Sequence, residues 1–163
     1  MEALDRQMVF AVKEEILRNV AKTHALVLIE GWEGTGRTVT ALKAVKGMGE
    51  VYYFDQSRNG VPQVQGISPD LDEITVLETS QALRELPPGK LQFVIFDDLN
   101  RTGDEARAVL TEMVKERVDG RSILVITLTT MNAQDLLEYM DAVVRVKQNT
   151  VEVMYSKLYN IGI

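Results

Sequence analysis

Cysteine is absent from the 163-residue chain. That excludes a disulfide scaffold, a thiolate metal site and a cysteine nucleophile. It also fits a reducing cytoplasm, the compartment expected for this protein. Histidine occurs once, at His24. It precedes an apolar run and reads as a boundary residue, because one histidine without cysteine is a poor start for a zinc site. Positive charge is in deficit, with a formal net charge of -6, so no broadly basic nucleic-acid footprint is present. No stretch approaches the roughly 18 apolar residues of a membrane helix, and no membrane partner is expected. The start, Met1-Glu2-Ala3-Leu4-Asp5-Arg6, lacks the basic-then-apolar order of a secretory signal.

What remains has the balance of a globular protein, with 45% hydrophobic and 26% charged residues. The length suits one domain: an N-terminal helix in residues 1–23, a core over 24–148, and an edge hairpin or tail over 149–163. Leu4, Met8, Val12, Ile16 and Val20 recur every four residues, which predicts a helix over 4–21 with one apolar stripe. Residues 25–29 form a continuous apolar run, the signature of a strand buried on both faces. A glycine-rich turn follows, then helical character over 39–46, stopped by Gly47 and Gly49. Residues 51–54 read as a second strand.

Residues 55–73 are rich in Gly, Pro, Asp and Asn, and predict a long loop. Arg58 is its only basic residue, so its case as a nucleic-acid contact is thin. A short strand over 74–77 and a short helix over 80–86 come next. Residues 91–96 are a buried strand ending in Asp97-Asp98. Residues 104–118 are an amphipathic helix whose apolar side is marked by Ala108, Leu110, Met113 and Val114. Residues 122–127 are a further buried strand. Asn132 caps a helix through Tyr139, residues 143–146 are the last central strand, and 151–158 add an edge hairpin. Strands alternate with helices from residue 25 onward. That order predicts an α/β fold, a three-layer sandwich around a mainly parallel sheet.

The turn after the first strand reads Gly31-Trp32-Glu33-Gly34-Thr35-Gly36-Arg37-Thr38. A phosphate loop has glycine, four residues, glycine, lysine, then serine or threonine. Gly31, Gly36 and Thr38 match it, and Arg37 stands where lysine is usual. Glycines let successive backbone N–H groups point into one concavity. The helix that follows adds its positive end. With lysine or arginine allowed, the pattern arises by chance in on the order of 1% of chains of this length. Its position, after a buried strand and before a helix, is the one the motif requires.

Arg37 keeps the charge but replaces a slim point charge by a planar fork. Glu30 and Glu33 set carboxylates beside an anion site and must point away from it. Trp32 can touch a nucleotide base, but packing against a neighbouring helix is the stronger expectation. Asp97, at the carboxyl end of its strand, stands where α/β sheets bind ligands. With Thr38 it is the candidate magnesium pair. Thr127 and Thr129 follow the next buried strand, where a polar side chain can sense a terminal phosphate.

These residues resemble the P-loop ATPases that carry an extra strand between the loop strand and the acidic Walker B strand. Two branches compare. Residues 49–56, with Asp55 and Gln56 where a catalytic glutamate usually follows, are similar to the second strand of the RecA/KaiC-like group. The tail is similar to that group's final strands, and Lys157 is the nearest match to its late basic residue. Asp97, Asp98 and Thr127 resemble the Walker B and first sensor of the AAA-type group. No helical lid follows, however, and residues around Tyr139 and Met140 stand where its arginine finger would be. The RecA/KaiC side is slightly favoured, and the resemblance spans residues 25–158.

It implies a nucleoside triphosphate, ATP first, with Mg2+, held by Gly31, Glu33, Gly34, Thr35, Gly36, Arg37, Thr38 and Asp97. Asp98, Asp55 and Thr127 would take catalytic roles. It also implies slow hydrolysis or a nucleotide-responsive regulatory subunit, acting as a homo-oligomer or on a protein partner. The alternative is an interaction module that kept the fold and lost the ligand.

Overall fold

The computed structural model describes residues 2–23, 26–32, 37–54, 74–77, 79–86, 92–97, 104–116, 121–127 and 134–155. The chain enters through α1 (Glu2–Thr23) and β1 (Leu26–Glu30), then α2 (Arg37–Val45) and β2 (Glu50–Phe54). It continues with β3 (Ile74–Leu77), α3 (Ser80–Arg84), β4 (Gln92–Phe96) and α4 (Asp104–Glu116). It closes with β5 (Arg121–Thr127), α5 (Gln134–Leu137), β6 (Ala142–Val146) and β7 (Val151–Tyr155).

The strands make one seven-stranded sheet in the order β3-β2-β4-β5-β1-β6-β7. Every pairing is parallel except the last, in which β7 runs antiparallel to β6. The apolar run of β1 is central because it is buried on both faces. β5 lies between it and β4, so the extra-strand order expected from the sequence is observed.

Strand alternation sends each residue to one of two cores. Val27 and Ile29 pack with Tyr53, Phe93 and Ile95 against α1 and α2. Leu26, Leu28, Phe54, Val94 and Phe96 pack against α3, α4 and α5. The result is the expected three-layer α/β/α sandwich. Among the described residues, no helix is long and apolar enough to cross a membrane.

Two helical faces differ from expectation. In α1, Met8 and Val12 are 61% and 54% exposed, whereas Lys13, Leu17, Val20 and Ala21 are buried. A repeat of exactly four residues advances about 40° round the helix at each step, so a stripe written that way winds off the core face. Leu17→Ala is accordingly expected to lower the unfolding free energy by about 2–4 kcal/mol. Val12→Ala should change it by no more than about 0.5 kcal/mol. Urea denaturation checks both, and equal losses would contradict this packing. In α4, Ala108 is exposed, and the buried side runs through Ala106, Val109, Leu110, Met113 and Val114.

Polar contacts hold α1 in place. Buried Lys13 donates from Nζ to the Gln148 carbonyl at 2.9 Å, and burial pushes its pKa down. Arg18 Nε donates to the Ala44 carbonyl at 2.9 Å, placing a cation on the carbonyl end of α2, where the helix dipole favours it. The chain leaves α2 through Gly47 at φ 78°, a left-handed conformation that glycine adopts without strain.

Candidate functional site

Gly31, the first residue after β1, is buried. Arg37 opens α2, and Thr38 sits in its first turn, which contains no acidic residue. The positive end of α2 is therefore not offset from within the helix. Arg37 is half-buried, and its Nη1 atom is enclosed by protein.

α2 covers the face of the sheet that carries Ile29, Phe93 and Ile95. Asp97 follows β4 directly, on that same face by alternation. The two segments meet. Thr38 Oγ1 lies 3.1 Å from Asp97 Oδ1 and 3.0 Å from Oδ2, so its one hydroxyl proton is shared across the carboxylate. Asp97 is 4% exposed, and its carboxylate is held inside the protein rather than in solvent.

A third residue joins them that the sequence reading missed. Tyr53 of β2 is fully buried, and its hydroxyl donates to Asp97 Oδ2. The Asp97 backbone N–H donates to the Phe54 carbonyl at 3.0 Å. A signal for Tyr53 was present. A tyrosine on the buried face of a strand needs a partner for its hydroxyl, and the acidic strand end supplies one once β2 is known to lie beside β4.

The opposite face of the same strand ends carries a second polar group. Glu30 is 3% exposed, and its Oε1 accepts from Arg145 Nε at 2.8 Å. Arg145 also lies 3.8 Å from Glu152. Lys147 bonds Glu152 at 2.6 Å and holds that carboxyl below its ordinary range. Glu30 thus points away from the Thr38–Asp97 pair. Thr127, fully buried, is paired in register with Glu30, and alternation places it on that face too.

Trp32 is 74% exposed, so the helix packing expected for it does not occur. Glu33, Gly34, Thr35 and Gly36 lie outside the described residues, as do Asp55, Asp98, Thr129, Asn132, Lys157 and the segment 55–73. Among the described residues, no three His, Cys, Asp or Glu side chains gather as a metal cluster.

No family model matches the chain, and no curated protein is significantly similar to it. Solved structures are. The RadB recombinase aligns over 80% of this chain and 86% of its own, at 14% identity and a TM-score of 0.51. A DNA polymerase III gamma subunit-related protein from Thermotoga maritima aligns over 83% of this chain and 46% of its own, at 13% identity and a TM-score of 0.53. At these identities the likeness is one of fold, and with the mostly parallel seven-stranded sheet it gives this chain a RecA-like α/β fold.

Proposed function

We propose that this chain binds ATP with Mg2+ over the carboxyl ends of β1 and β4, turns it over slowly, and serves as a nucleotide-responsive subunit. The observation that carries the proposal is the meeting of Thr38 with Asp97, 59 positions apart in the chain, at the start of the helix that follows the glycine-rich turn. That pair is what a magnesium–phosphate site requires of a protein. Its donors are hydroxyl and carboxylate oxygens, the ligand chemistry of a hard cation.

Thr38 would offer an oxygen lone pair to the ion while its hydroxyl proton stays hydrogen-bonded to Asp97. Asp97 would accept from the water around the ion. Thr38 and Asp97 would hold the ion, which would supply positive charge against the phosphates. The backbone of the turn and the positive end of α2 would hold the phosphates. Arg37 would add its charge as a fork rather than a point. Asp98, next to Asp97, and Asp55, directly after β2, are the groups proposed to orient the attacking water. Thr127, on the Glu30 face, fits such a role less well. The slow turnover follows from Arg37 and from the shorter reach of these aspartates compared with a glutamate.

Titration with fluorescent ATP in excess Mg2+ tests the proposal. Saturable binding is expected, weakened by about tenfold or more in Asp97→Ala, which removes charge-assisted contacts. No saturation up to millimolar nucleotide would end it.

A further inference from the structure

We infer that Tyr53 is a positioning residue for the metal side of this site: it fixes the Asp97 carboxylate and so sets how strongly nucleotide binding depends on Mg2+. The inference rests on the ATP–Mg2+ reading above and deepens it.

The geometry starts with the register. Tyr53 stands opposite Ile95 across the parallel β2–β4 pair. The next residue along β4 that faces the same way is Asp97, about 6.6 Å further on. A phenol is long enough to cover that interval, and its hydroxyl does so. Tyr53 itself has little freedom to follow a moving partner, being fully buried in the core that holds Phe93 and Ile95 of the neighbouring strand.

Asp97 is therefore gripped by β2 at two points. Its N–H donates to the Phe54 carbonyl at 3.0 Å, and its Oδ2 accepts from Tyr53. The backbone bond fixes where the residue stands, and the phenol fixes where its carboxylate faces. Thr38 then meets a carboxylate that is already oriented. A buried tyrosine needs some acceptor whatever its role. Here the acceptor is the same carboxylate that the metal-side threonine uses. The hydroxyl consequently decides how that carboxylate is presented, and does more than satisfy itself.

Without the phenolic donor, the Asp97 carboxylate loses the contact from β2 and keeps that from Thr38, so the arrangement a hydrated ion needs is less firmly held in advance. Nucleotide held by the turn and by the start of α2 does not depend on that orientation. The signature is thus specific: metal-linked binding falls and metal-free binding does not.

The measurement is ATP affinity in excess Mg2+ and again in EDTA, for the wild type, Tyr53→Phe and Tyr52→Phe. Tyr52 lies on the opposite face of β2 and donates to Glu50 at 3.0 Å, so it controls for the loss of a hydroxyl. The ratio of the two affinities is expected to fall roughly tenfold in Tyr53→Phe, as for the loss of one charge-assisted hydrogen bond. The EDTA affinity and the Tyr52→Phe ratio are expected to match the wild type. A general loss of packing would lower both affinities together. Should Tyr53→Phe not fold, Tyr53→Met, which also lacks the hydroxyl and adapts to apolar gaps, gives the same readout. An unchanged or raised ratio, or affinities that fall together, overturns the inference alone. Absence of ATP binding by the wild type in both conditions overturns the inference together with the reading beneath it.

Discussion

Arg37→Lys is expected to raise ATP turnover by about 10²-fold, since removing or misplacing one preorganised donor at a transition state typically costs 10²–10³ in rate. Arg37 begins α2 and is half-buried, with its Nη1 atom enclosed by protein. Lysine presents its charge on a slim stem that can lie along the turn toward the outer phosphates, where charge develops as the bond to the leaving group breaks. The gain should appear in kcat, with a smaller change in ATP affinity, because either cation attracts the ground-state phosphates. Phosphate release under saturating ATP and Mg2+ measures it. A turnover no higher than that of the wild type would mean that the fork serves the reaction as well as lysine does. The slow step would then lie with the carboxylates.

Arg145→Ala should be the most destabilising change at the sheet's carboxyl end. Glu30 is buried beside its guanidinium, and its second oxygen, Oε2, has no hydrogen-bond partner among the described residues. Removing Arg145 strands a charge inside the protein. Breaking a buried pair in this way costs about 3–5 kcal/mol. The Arg145 side chain is 42% exposed, and solvent screening brings the expectation down to about 2–3 kcal/mol. For a chain of this size that lowers Tm by roughly 4–12 °C. Replacing both residues by methionine should recover most of the loss, because the penalty belongs to the stranded charge and not to the missing bond. Equal stability of Arg145→Ala and the wild type in urea would show that Glu30 is already well solvated.

The residues that the sequence made legible are those whose signal is local. The apolar run before Gly31 marks β1, the glycine spacing marks the turn, and the strand ending at Asp97 marks the acidic partner. Each needs only a few neighbours along the chain. The meeting of Thr38 with Asp97 could be expected because the motif itself implies it. Tyr53 could not, because nothing in its own segment says that β2 lies beside β4.

Glu30 and Arg145 stand 115 positions apart, and only the placement of β6 next to β1 reveals them as a pair. The buried face of α1 departs from its four-residue apolar repeat for a different reason. Met8 and Val12 are apolar, and pattern alone does not say which apolar residues the core has room for. Trp32 is the same case in a loop: its size suggested burial, yet it stands in solvent.

The central place of β1 also governs the order in which the protein is completed during synthesis. Both of its neighbours, β5 and β6, come from the last third of the chain. Asp141 closes the join by accepting from the Leu26 N–H and donating to the Leu26 carbonyl. A ribosome adding about 5–20 residues per second therefore exposes an apolar strand for several seconds before any partner for it exists. During that interval β2, β3 and β4 can already pair with one another, whereas β1 waits. β1 precedes both of its partners in the chain and is among the last strands to be paired, and such late, long-range closure is the step at which folding is slow and a chaperone would be useful.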